Sequence, residues 1–168
     1  MDEDDDFRRA MAQAGVQPLA AGKERVERSP RRPPQERPGR PAGRFAIERI
    51  GERIEGLVNG GDRKQLRLLE RGHFYVDLEL DLHGASEDAA RKIIEDAVEQ
   101  SQAAGKRCLL VIHGRGRRSP GAPVLKLALP DWLTGPRCAA WVLAFVSAPS
   151  DLGGPGATLV LLRARRKR

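Results

Sequence analysis

The chain has 168 residues, enough for one ordinary domain with some length to spare. Its net charge of +7 favours a polyanionic partner, and it has no apolar run long enough to span a bilayer. The acidic N-terminus lacks the basic-then-apolar order of a secretion signal, so we expect a soluble, cytoplasmic, monomeric protein that does not bind membranes.

Residues 1–43 open with an acidic run and continue as a segment rich in proline and arginine. Repeated prolines disfavour both helix and sheet, and Phe7 is the only aromatic residue before position 44. Such a segment cannot bury enough apolar area to offset the entropy of ordering. We predict a disordered tail, with an arginine-rich arm that contacts nucleic acid as the alternative.

Residues 44–72 show an interrupted helical pattern. Ile47, Ile50, Ile54 and Leu57 would share one stripe of a helix. A second amphipathic segment follows, with Asp62 as its predicted cap and a glycine as its end. We therefore predict a helical lead-in to the domain, whose basic side is either a solvated face or a contact to nucleic acid.

Residues 73–163 carry the patterns of a compact α/β domain. Alternation predicts a strand over residues 76–82, and a capped period near 3.6 predicts a helix over 87–104. A continuous apolar run near 108–113, a helix from Val124, and strands over 138–146 and 157–165 follow. The order βαβαββ predicts a two-layer α/β sandwich with a mixed four-stranded sheet, whose first two strands are parallel neighbours. Residues 164–168 form a basic tail.

Asp81, His83 and His113 stand at the ends of the first two predicted strands. Asp81 and His83 are two apart, so they share one face of a strand, roughly 7 Å apart along it. If the strands are parallel neighbours, both histidines emerge at the carboxyl edge of the sheet, where open α/β sheets bind ligands. We predict that these three residues form a catalytic site.

Glycines and arginines surround this edge. Glycines let a backbone approach a ligand closely, and arginines offer planar forks suited to phosphate oxygens. The predicted nucleic-acid-binding residues are Gly114, Arg115, Gly116, Arg117, Arg118, Arg163, Arg165, Arg166, Lys167 and Arg168. No Lys-Ser/Thr pair follows the glycines, so a nucleotide-triphosphate site is not supported.

Metal ligation finds little support in the sequence. Cys108 and Cys138 lie in apolar runs and are predicted to be buried hydrophobic residues rather than a disulfide or a metal pair. A zinc ion on two histidines and an aspartate would be repelled by the neighbouring arginines. We predict no metal site.

Four stretches resemble the Smr (small MutS-related) domain: "LDLHG" at 80–84, "VIHGRG" at 111–116, "VLKLALPDWL" at 124–133 and "GGPGATLVLL" at 153–162. The resemblance implies a fold like the C-terminal domain of translation initiation factor 3, and endonuclease activity on RNA or DNA. It places the family's Asp-Leu-His motif on Asp81, Leu82 and His83, and its His-Gly-x-Gly motif on His113 to Gly116. No ATPase or clamp segment accompanies these motifs, which is typical of the stand-alone type.

Phosphodiester cleavage in RNA is the function that these residues favour, and the resemblance extends it to mRNA on stalled ribosomes. RNA carries its own nucleophile, the 2′-OH, so an imidazole pair can act as base and acid without a cofactor. DNA nicking would need an activated water, for which Asp81 and Glu79 would have to recruit Mg²⁺. The alternative is a non-catalytic module that binds nucleic acid or a ribosome.

Overall fold

A computed structural model describes residues 43–116 and 123–164 of the chain. Its strands are β1 (Phe45–Ile50), β2 (Arg53–Val58), β3 (Leu78–Asp81), β4 (Cys108–Ile112), β5 (Val142–Ser147) and β6 (Ala157–Leu162). Its helices are α1 (Arg63–Glu70), α2 (Glu87–Ala104) and α3 (Val124–Thr134). Two short 3₁₀ turns, Ser150–Leu152 and Gly154–Gly156, precede β6.

The strands form one mixed sheet in the order β1-β2-β5-β6-β4-β3. β3 and β4 are parallel neighbours, and every other pair is antiparallel. The predicted α/β class and the order βαβαββ from β3 onward are therefore confirmed. The predicted number of four strands is wrong, because β1 and β2 extend the sheet to six.

Residues 45–58 form a β-hairpin, which corrects the helical lead-in predicted there. β1 and β2 pair from Phe45↔Val58 to Ile50↔Arg53, so only Gly51 and Glu52 connect them. Gly51 has φ +59°, the conformation that two-residue hairpin turns require. The outer side of β2 then pairs with β5, and this distant contact decides the conformation of the segment. The second predicted helix is α1, and the Asp62 side chain caps it by accepting from the N–H of Lys64 at 2.8 Å.

Helix α2 has the predicted bounds. Ser86 accepts from the N–H of Ala89 at 3.3 Å, and Gly105 ends the helix. Its buried face packs with α3 on one side of the sheet, whereas Ile93 is 42% exposed. Helix α1 packs Leu66 and Leu69 on the opposite side. The central strands are therefore covered on both faces, as the apolar run of β4 predicted.

The segment after α3 differs from its predicted strand. Residues 138–141 form a tight turn, and β5 begins only at Val142. The turn lets Arg137 donate to three carboxylates of α2, at 2.8 to 2.9 Å, and so ties the two helices together. These hydrogen bonds, led by the one to Glu99, raise the pKa of Arg137.

Cys108 and Cys138 are buried and unpaired, as predicted. Burial raises the pKa of Cys108 to about 11 and that of Cys138 to about 12, so both stay protonated thiols at neutral pH. Within the described residues, no helix is both long and apolar enough to cross a bilayer.

Candidate active site

Asp81 and His83 form a hydrogen-bonded pair at the carboxyl end of β3. The Asp81 carboxylate accepts from the backbone N–H of His83 at 3.0 Å through Oδ1. Its other oxygen, Oδ2, lies 3.2 Å from Nδ1 of the same histidine. The side chain of His83 is 85% exposed, so its imidazole is held by Asp81 and open to a ligand.

The pair fixes the proton on one ring nitrogen. The backbone N–H of His83, and after it the ring, lower the pKa of Asp81, so this carboxylate is ionised at neutral pH. An ionised carboxylate only accepts hydrogen bonds, so in the neutral imidazole the proton lies on Nδ1. Nε2 then carries the lone pair, and no described residue forms a hydrogen bond with it. This is the tautomer that a general base needs.

Leu82 anchors this pair in the core. Its side chain is 1% exposed, and its N–H donates to the carbonyl of Ile112 in β4 at 2.8 Å. The chain turns immediately afterwards, since Ala85 donates to the carbonyl of Leu82 at 3.1 Å. Gly84, with φ +74°, permits this turn. The two polar side chains therefore project from a backbone that is fixed on both sides.

His113 follows β4 at the same edge of the sheet but lies in a different environment. It is 8% exposed. Its Nδ1 lies 2.9 Å from the carbonyl oxygen of Gly114 and so carries the proton. Nε2 accepts from the Thr158 hydroxyl at 3.0 Å. Burial lowers the pKa of His113, which makes it a neutral residue with both ring nitrogens occupied.

The loop after His113 rests on the 3₁₀ turn before β6. The N–H groups of His113 and Gly114 both donate to the carbonyl of Gly156, at 3.1 and 2.9 Å. Arg115 lies across the same turn: a Cβ added at Gly154 would be 3.2 Å from its Nη2, and one at Gly156 would be 3.3 Å from its Cγ. The glycines of this turn therefore leave the room that Arg115 occupies.

The structure brings only part of the predicted set to this edge. Asp81 pairs with Ile112 in the parallel register, so the residues that follow β3 and β4 are neighbours, including Gly114, Arg115 and Gly116. Arg163 lies at the opposite edge, because β6 runs antiparallel to β4 and Leu162 donates to the carbonyl of Arg107. The remaining predicted residues lie outside the described part of the chain: Arg117, Arg118, Arg165, Arg166, Lys167 and Arg168.

Sequence reasoning missed two polar residues of this region. Thr158 holds His113, and its only signal was a hydroxyl in the otherwise apolar run of β6. Lys126, whose charge helps to lower the pKa of His113 after the larger effect of burial, is the single charge among the first seven residues of α3. The described residues contain no group of three or more His, Cys, Asp or Glu side chains that could hold a metal ion.

Comparison with known proteins identifies the same segment. The profile of the Smr domain matches residues 80–163, half of the chain. A protein named ribosome rescue factor SmrB from Shewanella sp. (strain W3-18-1) is 34% identical over 106 residues, which cover 63% of this chain and 56% of that protein. Its namesake from Aliivibrio salmonicida is 33% identical over 104 residues, covering 62% and 54%. The chain thus spans about half the length of these relatives.

A solved structure supports the fold. YdaL, described as a stand-alone small MutS-related protein from Escherichia coli, superposes with a TM-score of 0.56 and 29% sequence identity. The superposition covers 65% of this chain and 82% of YdaL. With the profile match, the fold and the order of the motifs, the chain belongs to the Smr domain family.

Proposed function

We propose that the chain cleaves phosphodiester bonds in RNA, with His83 as the general base. The observation that supports this most is the Asp81–His83 pair, which leaves Nε2 of an exposed imidazole unprotonated and open to a substrate. Histidine is the side chain that most often acts as a general base in enzymes.

The chemistry follows from the tautomer. Nε2 of His83 takes the proton of a ribose 2′-OH, and the 2′-oxygen attacks the adjacent phosphorus. The bond from phosphorus to the 5′-oxygen breaks, which leaves a 2′,3′-cyclic phosphate and a 5′-hydroxyl whose proton comes from water. Asp81 stabilises the imidazolium that forms on His83, as carboxylates do in other histidine pairs.

Arg115 is the residue that we propose for the charge on phosphorus. It is exposed, lies in the loop that follows β4, and keeps its guanidinium over the Gly154–Gly156 turn. A guanidinium can bind two phosphate oxygens at once, and positioned donors of this kind stabilise the charge of the transition state. Gly114, where an added Cβ would meet nothing within 4 Å, leaves space for the substrate beside it.

The catalytic role predicted for His113 stays a prediction, and its contacts favour a positioning role. Proton transfer from its Nδ1 would first break the hydrogen bond to Gly114, and its lowered pKa keeps the ring neutral. In its present contacts it joins the end of β4 to Thr158 of β6. We propose that His113 holds the loop that carries Arg115.

A ribosome is the setting that the relatives suggest. The similar proteins from Shewanella and Aliivibrio are named ribosome rescue factors. We therefore propose that the RNA is mRNA on a ribosome, with the positive charge of the chain favouring the encounter. Co-sedimentation of the His83→Ala protein with ribosomes programmed with mRNA tests this step without cleavage of the RNA.

A binding module without catalysis is the second candidate. It is favoured by the burial of His113, which leaves one exposed imidazole at this edge where an acid–base pair would use two. DNA nicking with Mg²⁺ remains the third, on Asp81 and Glu79 of β3. RNA cleavage, binding without catalysis and DNA nicking differ in their response to EDTA and to a 2′-deoxy substitution.

The test measures single-turnover cleavage of end-labelled RNA and DNA, with and without EDTA, by the wild type and by three variants: Asp81→Asn, His83→Ala and the double variant. Each single change should lower the RNA cleavage rate by about 10²–10⁴-fold. The double variant should lose little more, because residues that act as one unit are not additive. His73→Ala and Asp131→Asn are matched controls, both exposed and outside the pair.

Thermal melting and the affinity for RNA with a 2′-deoxy residue at the cleaved position separate catalysis from folding and binding. Because the Asp81–His83 pair is exposed, the variants should keep nearly the melting temperature and the RNA affinity of the wild type. Equal RNA cleavage by wild type and His83→Ala would exclude the proposed base. Cleavage of DNA that EDTA abolishes would favour the metal route, and tight RNA binding with no cleavage at all would favour the binding module.

A further inference from the structure

The side chain of Lys126 is buried, and its charge has no partner among the described residues. It is 9% exposed, and no described residue accepts a hydrogen bond from it or forms an ion pair with it. A charge that is largely shielded from water is costly unless something pairs with it. The apolar residues around it in α3 make this position a poor place for a lysine that serves only packing.

The first turn of α3, which carries Lys126, lies beside the loop that follows β4, at the edge of the sheet where Asp81 and His83 lie. The side-chain nitrogen is not among the described polar atoms sealed from solvent, so the stem is packed while the head stays accessible. Side chains in a helix lean toward its N-terminus, which for α3 is the end nearest this edge. Proximity to His113 agrees with this direction, since the Lys126 charge acts on that imidazole.

The N-terminus of α3 presents free backbone donors at the same place. Pro123 precedes the helix, no side chain caps it, and its first turn contains no acidic residue. The N–H groups of Val124, Leu125 and Lys126 have no acceptor among the described residues, and the first bonded amide is that of Leu127. These amides carry the partial positive charge of a helix start, which suits an anion.

The loop from β4 brings this helix start beside the candidate active site. A Cβ added at Gly116 would lie 2.7 Å from Cβ of Pro123, so the end of the His113–Gly116 segment touches the residue that begins α3. A ligand at Arg115 and one at Lys126 would therefore be close along a single polyanionic chain.

We propose that Lys126 and the first-turn amides of α3 form a subsite for one backbone phosphate of the RNA, next to the phosphate that is cleaved. The identity of the ligand rests on the proposed function, whereas the anion site itself does not. A lysine is a compact point charge that suits a phosphate oxygen, and three amides at a helix start complete the set of donors.

The first experiment titrates the ¹⁵N-labelled full chain with inorganic phosphate and follows the amide signals by NMR. The amides of residues 124–126 should shift in the wild type, and the shifts should be lost in Lys126→Met, which keeps the packed stem and removes the charge. Unshifted amides in the wild type would overturn the anion site, whatever the chain does to RNA.

The second experiment measures the affinity for a single-stranded RNA that has a 2′-deoxy residue at the cleaved position, as a function of salt. Loss of one phosphate contact should weaken binding roughly tenfold and reduce the slope of log K against log salt by about 0.7. Lys106→Met is the control, because it removes the same charge just before β4, at the other edge of the sheet. It should change the affinity and the salt slope less than Lys126→Met does.

Folding is checked by thermal melting of Lys126→Met and of Lys126→Gln, and the apolar side chain of Lys126→Met should leave stability equal or higher, because it removes a largely shielded charge that has no partner among the described residues. Weaker binding by a protein of unreduced stability supports the subsite. A salt slope that is unchanged in both Lys126→Met and Lys126→Gln would overturn the assignment of the subsite to RNA. The two proposals fail separately: the cleavage rate of His83→Ala tests the proposed function, and the salt slopes of the Lys126 variants test the subsite.

Discussion

Two histidines at one edge of the sheet have opposite environments, and the environment decides what each can do. The His83 imidazole is 85% exposed and has one ring nitrogen free, whereas His113 is 8% exposed and has both nitrogens bonded. An exposed base can exchange protons with a substrate, and a buried neutral ring is better suited to hold a loop. The same residue type is therefore suited to the proposed proton transfer at one position and to a structural role at the other.

We predict that the stability of the fold decreases as the pH falls from neutral to below 6.5 because of His113. Burial lowers its pKa in the folded state below the ordinary value of 6.5, so the unfolded chain binds more protons in this range. Its contribution is complete above the unfolded pKa and is lost as the pH falls toward the folded pKa. Urea unfolding at several pH values measures the slope.

The matched control is His113→Gln, which keeps a hydrogen-bonding side chain and removes the titration. Its unfolding free energy should depend less on pH in the same range. Carboxylates whose pKa is lowered, such as Asp77 with its hydrogen bonds from the N–H groups of Arg107 and Cys108, act only at lower pH. An identical pH slope in wild type and variant would show that His113 does not titrate as its burial implies.

At the scale of elements, the contact between β2 and β5 depends on a glycine. Gly56 is paired with Phe145, and a Cβ at Gly56 would collide with the Phe145 ring. We predict that Gly56→Ala destabilises the fold by about 1–3 kcal/mol, since an overpacked core forces side chains and backbone to shift. Chemical denaturation measures the change.

The reason can be tested with a double-mutant cycle. Phe145→Leu creates room over Gly56 at its own cost, and in that background Gly56→Ala should destabilise the fold less. Additive effects of the two changes would mean that the steric contact is not the cause.

The hairpin is also where the sequence was most misleading. Ile47, Ile50, Ile54 and Leu57 are spaced as on a helix, yet two short strands with a two-residue turn can carry the same residues. The local signal that favours strands is Gly51, midway between two runs that contain β-branched isoleucines. The deciding contact, with β5, lies about ninety residues further along the chain and cannot be read from a local pattern.

The candidate site was predictable in the part that local sequence encodes. The spacing of Asp81 and His83 predicted that they share a side of one strand, and the structure joins them by a hydrogen bond. The parallel pairing of β3 and β4 was predicted from the intervening helix and is confirmed. The burial of His113 was not predictable, because it depends on Thr158, which reaches the site from β6.

At the scale of the whole molecule, residues 44–72 contribute to the same cores as the rest of the sheet. Ile54 belongs to the core under α2 and α3, and Leu57, Leu66 and Leu69 belong to the core on the other side. We predict that a chain of residues 43–168 unfolds cooperatively, whereas one of residues 73–168 does not. The domain boundary proposed at residue 73 is thus open to a direct test.

The free energy of burying these side chains favours the loss of cooperative unfolding in the shorter chain. Burial of four such side chains contributes roughly 6–12 kcal/mol, which is comparable with the whole stability of a typical domain, about 5–15 kcal/mol. The shorter chain would also leave β5 as an unpaired edge strand, a site for aggregation. Calorimetry of both chains decides the matter, and equal melting temperatures would show that the hairpin and α1 are dispensable.

The hydrogen bond between Asp81 and His83 joins residues only two positions apart, so the geometry of the pair depends on one short segment of the chain. Its geometry needs one extended residue, a buried anchor and a turn, all within a single short stretch of backbone. Triads assembled from distant segments must be rebuilt whenever the chain is reconnected, but a circular permutation that joins the ends elsewhere would leave this pair intact. The same few residues could be transferred to the end of another edge strand, provided that the side chain of the middle residue, here Leu82, is buried in a core there.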